Sequence, residues 1–243
     1  MDHGFRNVYD DERRADAYAA LQFPGTYHLA FRDLPSIFAR YVVGTYALDF
    51  GCGAGRSTRF LGGLGFDAVG IDISLPMLDR ARQIDPEGDY REVSTGDLGN
   101  LGELAFDLIL SAFTFDNIAT LREKQLALRS LKQKLRRGGR LVSVVSSPEI
   151  YVNEWASFST RDYPENESAS SGDKVFIVML DVPDRRPVED IVCTDEDYHE
   201  LYDRVGLRVL ETLRPLATGS EPIEWKSETK VAPWVIYVLD GGD

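Results

Sequence analysis

Short β-branched or apolar runs alternate along this chain with stretches whose apolar positions recur at helical spacing. The runs Tyr46–Phe50, Ala68–Asp72, Tyr90–Val93, Phe106–Ser111 and Arg140–Ser146 predict strands. Between them Arg56–Leu64, Pro76–Ile84 and Leu121–Leu135 predict helices, the last with Leu121, Leu128, Leu131 and Leu135 on one face. Gly138 and Gly139, preceded by Arg136 and Arg137, read as the stop of that helix, with basic side chains at its carbonyl end. Strand and helix in alternation is the pattern of βαβ units, so an α/β fold with a mostly parallel sheet is expected.

The flanks depart from this pattern. Upstream, Asp10–Leu21 and Pro35–Val42 predict helices, which makes residues 1–44 a helical arm ahead of a core at 45–147. From Pro148 to Gly172 no period holds. Residues 148–193 therefore read as an insertion capping the sheet edge, ending in a strand-like run, Lys174–Val182. Thr194, followed by acidic residues, is the expected N-cap of a closing helix. The strands Arg208–Leu213 and Trp234–Leu239 complete a single domain, with 194–243 returning to the core.

Composition narrows the function. Lys+Arg 27 against Asp+Glu 40 gives a net charge of −13, and no basic stripe is present, so neither nucleic acid nor an anionic membrane is the expected partner. A small molecule is. Two cysteines, Cys52 and Cys193, and three histidines are too few for a disulfide framework or a four-ligand zinc site. With neither a signal segment nor a long apolar run, the expectation is a soluble, cytoplasmic protein.

The chemistry concentrates in ALDFGCGAGRSTRFL, residues 47–61. A strand ending at Asp49–Phe50 feeds a loop with Gly51, Gly53 and Gly55 and then a helix, so backbone amides at a helix N-terminus can meet a ligand. Arg56 stands where the dinucleotide fingerprint carries its third glycine, which weighs against a nicotinamide-dependent oxidoreductase. A non-catalytic cofactor-binding protein stays open. About twenty residues on, Asp72 ends the second strand, where an acidic side chain accepts ribose hydroxyls. Asp97 follows the third strand, so Asp49, Asp72 and Asp97 close three successive strands.

In ALDFGCGAG, GIDIS, GDL, FDLILSAFTF and LRRGGRLVSV the chain resembles the class I S-adenosylmethionine-dependent methyltransferases, small-molecule branch. The resemblance implies a Rossmann-like seven-stranded sheet with an antiparallel last strand and helices on both faces. It also implies S-adenosylmethionine as cofactor and the N-terminal arm as a lid. Asp49, Gly51, Cys52 and Gly53 would line the methionine part, with Asp72 on the ribose, Asp97 and Leu98 at the adenine edge, Ile73 and Met77 against its ring, and Ser111 near the sulfonium. Arg32 would pair with the cofactor carboxylate, and Tyr18 would pack on the sulfonium.

After the fourth strand the chain reads Ser111-Ala112-Phe113-Thr114, not the Asp/Asn-Pro-Pro-aromatic tetrad of amino-methylating DNA and RNA relatives. It also lacks the clustered carboxylates of the metal-dependent type, so no catalytic metal is expected. Tyr9, Tyr27, Phe113, Tyr151 and Trp155 are the candidate acceptor contacts, each with core packing as the competing role. His28 is the candidate general base, and Cys52 reads as a small buried filler in the loop and not as a nucleophile. The expected reaction is methyl transfer to an oxygen or nitrogen of a small planar metabolite, driven by alignment and desolvation.

Overall fold

The computed structural model describes residues 24–94 and 97–242, so the expected helix Asp10–Leu21, with Tyr9 and Tyr18, lies outside the described residues. In chain order the elements are α1 (Tyr27–Arg32), α2 (Leu34–Tyr41), β1 (Tyr46–Phe50), α3 (Arg56–Gly63), β2 (Asp67–Asp72), α4 (Leu75–Ile84), β3 (Asp89–Glu92) and β4 (Phe106–Ala112). Then follow α5 (Leu121–Lys132), β5 (Leu135–Ser146), β6 (Phe158–Ser159), β7 (Lys174–Met179), β8 (Val188–Ile191), α6 (Asp195–Val205), β9 (Arg208–Leu213) and β10 (Trp234–Asp240).

Seven strands form one sheet in the order β3-β2-β1-β4-β5-β10-β9. The pairs from β3 across to β5 are parallel, and β10 runs antiparallel between β5 and β9. The expected fold class is thus the observed one. The order reverses between β1 and β4, and in such sheets ligands bind at that switch, beyond the carboxyl ends of the strands.

Strand continuity explains why these runs are apolar throughout. Central parallel strands are covered on both faces, so successive side chains enter two different cores. In β4, Leu108 and Leu110 pack with α1 and α2, while Ile109 packs with α5 and α6; in β10, Ile236 and Val238 take the first side and Val235, Tyr237 and Leu239 the second. The helices are anchored by local chemistry. Thr120 and Thr194 each accept the backbone N–H three residues on, the latter at 3.3 Å, and Gly206, at φ 71°, ends α6.

Two expectations fail here. The helix predicted to reach Leu135 stops at Lys132, and Gly138 and Gly139 lie within β5. Leu135 pairs with Phe106 across the sheet and Arg136 binds Asp107 at 2.9 Å, so pairing with β4 claims residues that helical periodicity assigned to α5. The arm expected over residues 1–44 also packs into the core in its described part. Leu29, Ala30, Leu34 and Ile37 are fully buried, because α1 and α2 cover one face of the sheet. Above that same face, β6, β7 and β8 form a three-stranded antiparallel cap, contributing Phe158, Val175, Ile177, Met179 and Val188 to the core.

Candidate functional site

The glycine loop turns sharply over the end of β2. Gly51 and Cys52 both donate to the Ile71 carbonyl at 2.9 Å. Gly51 and Gly55 have φ near 74° and 75°, and a Cβ on either would strike Thr114 Oγ1 or Tyr90 Oη within 2.5 Å, so glycine is required for conformation and space alike. The loop delivers the N-terminus of α3 to a cleft lined by Phe31, Gly51, Cys52, Gly53, Ala54, Arg56, Ser57, Ala112 and Phe113.

Beneath it, Asp49 is almost wholly buried. Its Oδ2 accepts Ser57 Oγ at 2.6 Å and Thr58 Oγ1 at 2.7 Å, and its Oδ1 has no hydrogen-bond partner among the described residues. Burial pushes its carboxyl up to about 6, against the two hydroxyls and Arg56, which favour the charged form. Asp72, at the end of β2, accepts Gly53 N and Ser74 N, both at 2.8 Å. A carboxylate at the end of this strand is of the type that accepts a ribose diol. Met77 Cε sits 3.3 Å from where a Gly53 Cβ would be, and Ile73 is 42% exposed beside Asp72. Asp97 is exposed and caps Gly99 N at 2.8 Å, while Leu98 packs into the core on the α5 face.

A second pocket adjoins the first through Phe113, which lines both. Phe113 has φ 65°, the single positive value at a non-glycine among the described residues, and its N–H donates to Val144 O at 2.8 Å. Such backbone persists where the surroundings over-determine it, and it concentrates at functional sites. Around it stand Tyr27, Phe158 and Trp234, with ring centroids 4.6 Å apart for Phe113–Trp234 and 5.0 Å for Tyr27–Phe158. Ile150, Ile177, Met179 and Val188 complete an apolar slot.

Its other end is acidic. Asp116 accepts the Ser146 N–H at 3.0 Å and the Ser146 hydroxyl at 2.9 Å; Asp190 accepts Asn117 Nδ2 at 2.9 Å and the Tyr151 hydroxyl at 3.3 Å. Lys124, fully buried on α5, donates to the Phe115 carbonyl and faces both acids. Burial raises Asp116 to about 6 despite the lysine; Asp190 rises to about 7 through burial and the charge of Asp116. Lys124 is lowered, burial outweighing the acids.

Several expected site residues lie elsewhere. Arg32 forks onto Asp33 at 2.9 Å and reaches Leu216 O and Glu221, tying α1 to the loop before β10 instead of entering the cleft. His28 is half-buried and lines neither cavity, the buried positions of α1 being Tyr27, Leu29, Ala30 and Phe31. Ser111 is buried but turns to the α5 face, in step with Ile109, so Ala112 takes its place in the cleft. Trp155 is fully buried, with Nε1 on Ile150 O at 2.8 Å, and is a core residue. Tyr151 is outside the pocket lining and meets it by its hydroxyl, given to Asp190 at 3.3 Å. The Cys52 side chain packs with Leu78, Ala81 and Tyr90, and burial holds its thiol well above the ordinary range, so it is a filler.

Sequence reasoning missed Asp116, Asn117, Lys124, Ser146, Asp190 and Arg56. One signal was available for Asp190: it alternates in phase with the core residues Val188 and Val192, so a carboxylate occupies a core-facing strand position. The guanidinium of Arg56 lies 5.2 Å from the centre of the Tyr27 ring, at the N-terminus of α3.

This donor set suits a zwitterionic amino acid joined to a nucleoside. Amides and a guanidinium meet at one helix N-terminus, a buried carboxylate with an unmatched oxygen lies below, and a second carboxylate ends β2. A methyltransferase-domain profile matches residues 48–143. A putative methyltransferase of Encephalitozoon cuniculi is 32% identical over 174 residues, 71% of this chain and 70% of that one. The chain belongs to the class I S-adenosylmethionine-dependent methyltransferase family. That family's cofactor is S-adenosylmethionine.

An 18S rRNA (guanine-N(7))-methyltransferase of Mus musculus is 47% identical over 122 residues, and a ubiquinone biosynthesis O-methyltransferase of Mesorhizobium japonicum 33% over 105. The chain spans about two fifths of the length of each, 40% and 41%. An S-adenosylmethionine-dependent methyltransferase from Clostridium acetobutylicum superposes with a TM-score of 0.63 over 97% of both chains at 15% identity. The rRNA relative overturns the expectation that nucleic acid is no partner. Net charge averages over a surface, whereas recognition is local. The missing amine-gripping tetrad bears on exocyclic amines and says nothing about a ring nitrogen such as guanine N7. Among the described residues no helix is long and apolar enough to cross a membrane.

Proposed function

We propose that this chain transfers a methyl group from S-adenosylmethionine to an oxygen or nitrogen of a small planar metabolite, of the kind handled in natural-product routes. The carrying observation is that Phe113 walls both the glycine-loop cleft and the aromatic slot, so a donor in one and an acceptor in the other share a boundary. When bound, the cofactor supplies an electrophilic methyl group on sulfur. The chain's part is positional. Asp49, Arg56 and the start of α3 hold the amino-acid end, Asp72 the ribose, and Tyr27, Phe113, Phe158 and Trp234 hold the acceptor ring and exclude water. The O-methyltransferase named above supports a small acceptor.

Calorimetry with S-adenosylhomocysteine and transfer of a tritiated methyl group to a panel of phenols, anilines and N-heterocycles test the reading. Saturable binding and label in a panel member are expected. Failure to bind the nucleoside removes the donor half. Label entering ribosomal RNA and no panel member removes the small-acceptor half.

A further inference from the structure

We propose that the acceptor is a planar ring that presents an N–H or O–H group to the Asp190 carboxylate, and that Asp190 is the residue that selects it; this rests on the acceptor reading of the aromatic slot. The slot has one polar end, made by Asp116, Asn117, Ser146 and Asp190, and its walls are rings and aliphatic side chains. A ligand's polar edge must therefore meet those four side chains.

Most of their donors are already used. The Ser146 hydroxyl is given to Asp116 and one of the two Asn117 amide N–H groups to Asp190. What the end still offers is acceptor capacity: each Asp190 oxygen takes one hydrogen bond, from Asn117 or Tyr151, and the carboxylate has about four acceptor sites. A ligand edge that only accepts would find at most the second Asn117 N–H there. It would also strip water from a carboxylate and put nothing in its place.

Charge points the same way. The groups facing Asp190 are Asp116 after β4, Lys124 on α5 and Tyr151 after β5. One lysine stands against two acids, and it lies nearer the Asp116 side, donating to the carbonyl of the residue before Asp116. The negative charge left over rests on Asp190, on the β8 wall contributed by the cap. Donor-bearing rings are thus attracted to the cap side of the slot, while their faces pack on Phe113 and Trp234.

The test uses two neutral rings of one shape, indole with its N–H and benzofuran with oxygen in that place. Each is titrated calorimetrically into the full chain saturated with S-adenosylhomocysteine. At pH 8 indole is expected to bind at least about 10-fold tighter, the size of one hydrogen bond to a charged group. The gap should shrink at pH 5.5, where the Asp190 carboxyl, raised to about 7, is protonated. Asp190→Asn should bring the two affinities within about 3-fold of each other, and Asp116→Asn should leave the gap standing. Equal affinities in the unmodified chain at pH 8, no binding of either ring, or a gap that survives Asp190→Asn overturns the proposal. If Asp190→Asn does not fold, the pH dependence of the unmodified chain decides. A chain that fails to bind S-adenosylhomocysteine fails the wider methyltransferase reading; one that binds it but treats the two rings alike fails this inference alone.

Discussion

Asp49→Asn separates what the buried carboxylate costs the fold from what it does in the cleft. Burial holds the Asp49 carboxyl at about 6, against 3.8 for an exposed aspartate. Between those values the unfolded chain has released its proton and the folded chain has not, so the folded state binds more protons and loses stability as pH rises through that window. Two units at about 1.4 kcal/mol each give a penalty of about 3 kcal/mol, fully developed above pH 6. Asparagine keeps an oxygen for Ser57 and Thr58 and never ionises.

Urea unfolding of both proteins at intervals from pH 4 to 8 reads the difference, in which other titrating groups cancel. The variant should gain about 3 kcal/mol on the unmodified chain between pH 4 and 7. S-Adenosylhomocysteine affinity should fall by about 10-fold with loss of the charge-assisted bond to its amino group. A stability difference flat with pH would refute the burial argument, and undiminished affinity would refute the place given to Asp49.

Gly55→Ala forces a side chain at φ 75° onto Tyr90, and should cost about 1–2 kcal/mol in unfolding free energy and reduce nucleoside binding at least as much. Lys124→Met leaves Asp116 without its cation; urea midpoints should show a loss of about 3–5 kcal/mol at pH 8 and a smaller one at pH 5, because Asp116, raised to about 6, is then neutral. Trp155→Ala empties a fully buried site and should cost about 3–5 kcal/mol in thermal or urea unfolding, with S-adenosylhomocysteine affinity unchanged in the folded fraction. Arg32→Ala, outside both cavities, should alter that affinity by less than about 2-fold, as calorimetry will show.

The donor side was largely legible because it is local. β1 matches its predicted run, and Gly51, Gly53, Gly55 and Asp72 fall within about twenty residues, so pattern and turn chemistry place them together. The acceptor side was not. Asn117 and Asp190 meet across 73 residues, and no local rule joins a short turn after β4 to a cap strand. Phe113 in the left-handed region is invisible to propensity, since nothing in its type asks for that backbone. Arg56 read as a defect in a fingerprint; its value appears only when Tyr27 and Phe31 are seen beneath it. The roles given to His28, Arg32 and Ser111 assumed a direction for each side chain, and helix or strand phase sent each one elsewhere.

Trp234 donates from Nε1 to the Thr26 carbonyl at 2.8 Å, across 208 residues, and the same indole walls the slot beside Phe113. The order of synthesis gives this link a further meaning. The cleft at the glycine loop is lined by residues no later than Phe113, all of them made while much of the chain is still to come. The slot waits for Trp234. At about 5–20 residues per second, some 6–24 seconds separate the two. During that interval a nascent chain has every lining residue of the donor cleft but no finished acceptor wall, and the last strand of the sheet, on arriving, both joins β5 to β9 and closes the slot.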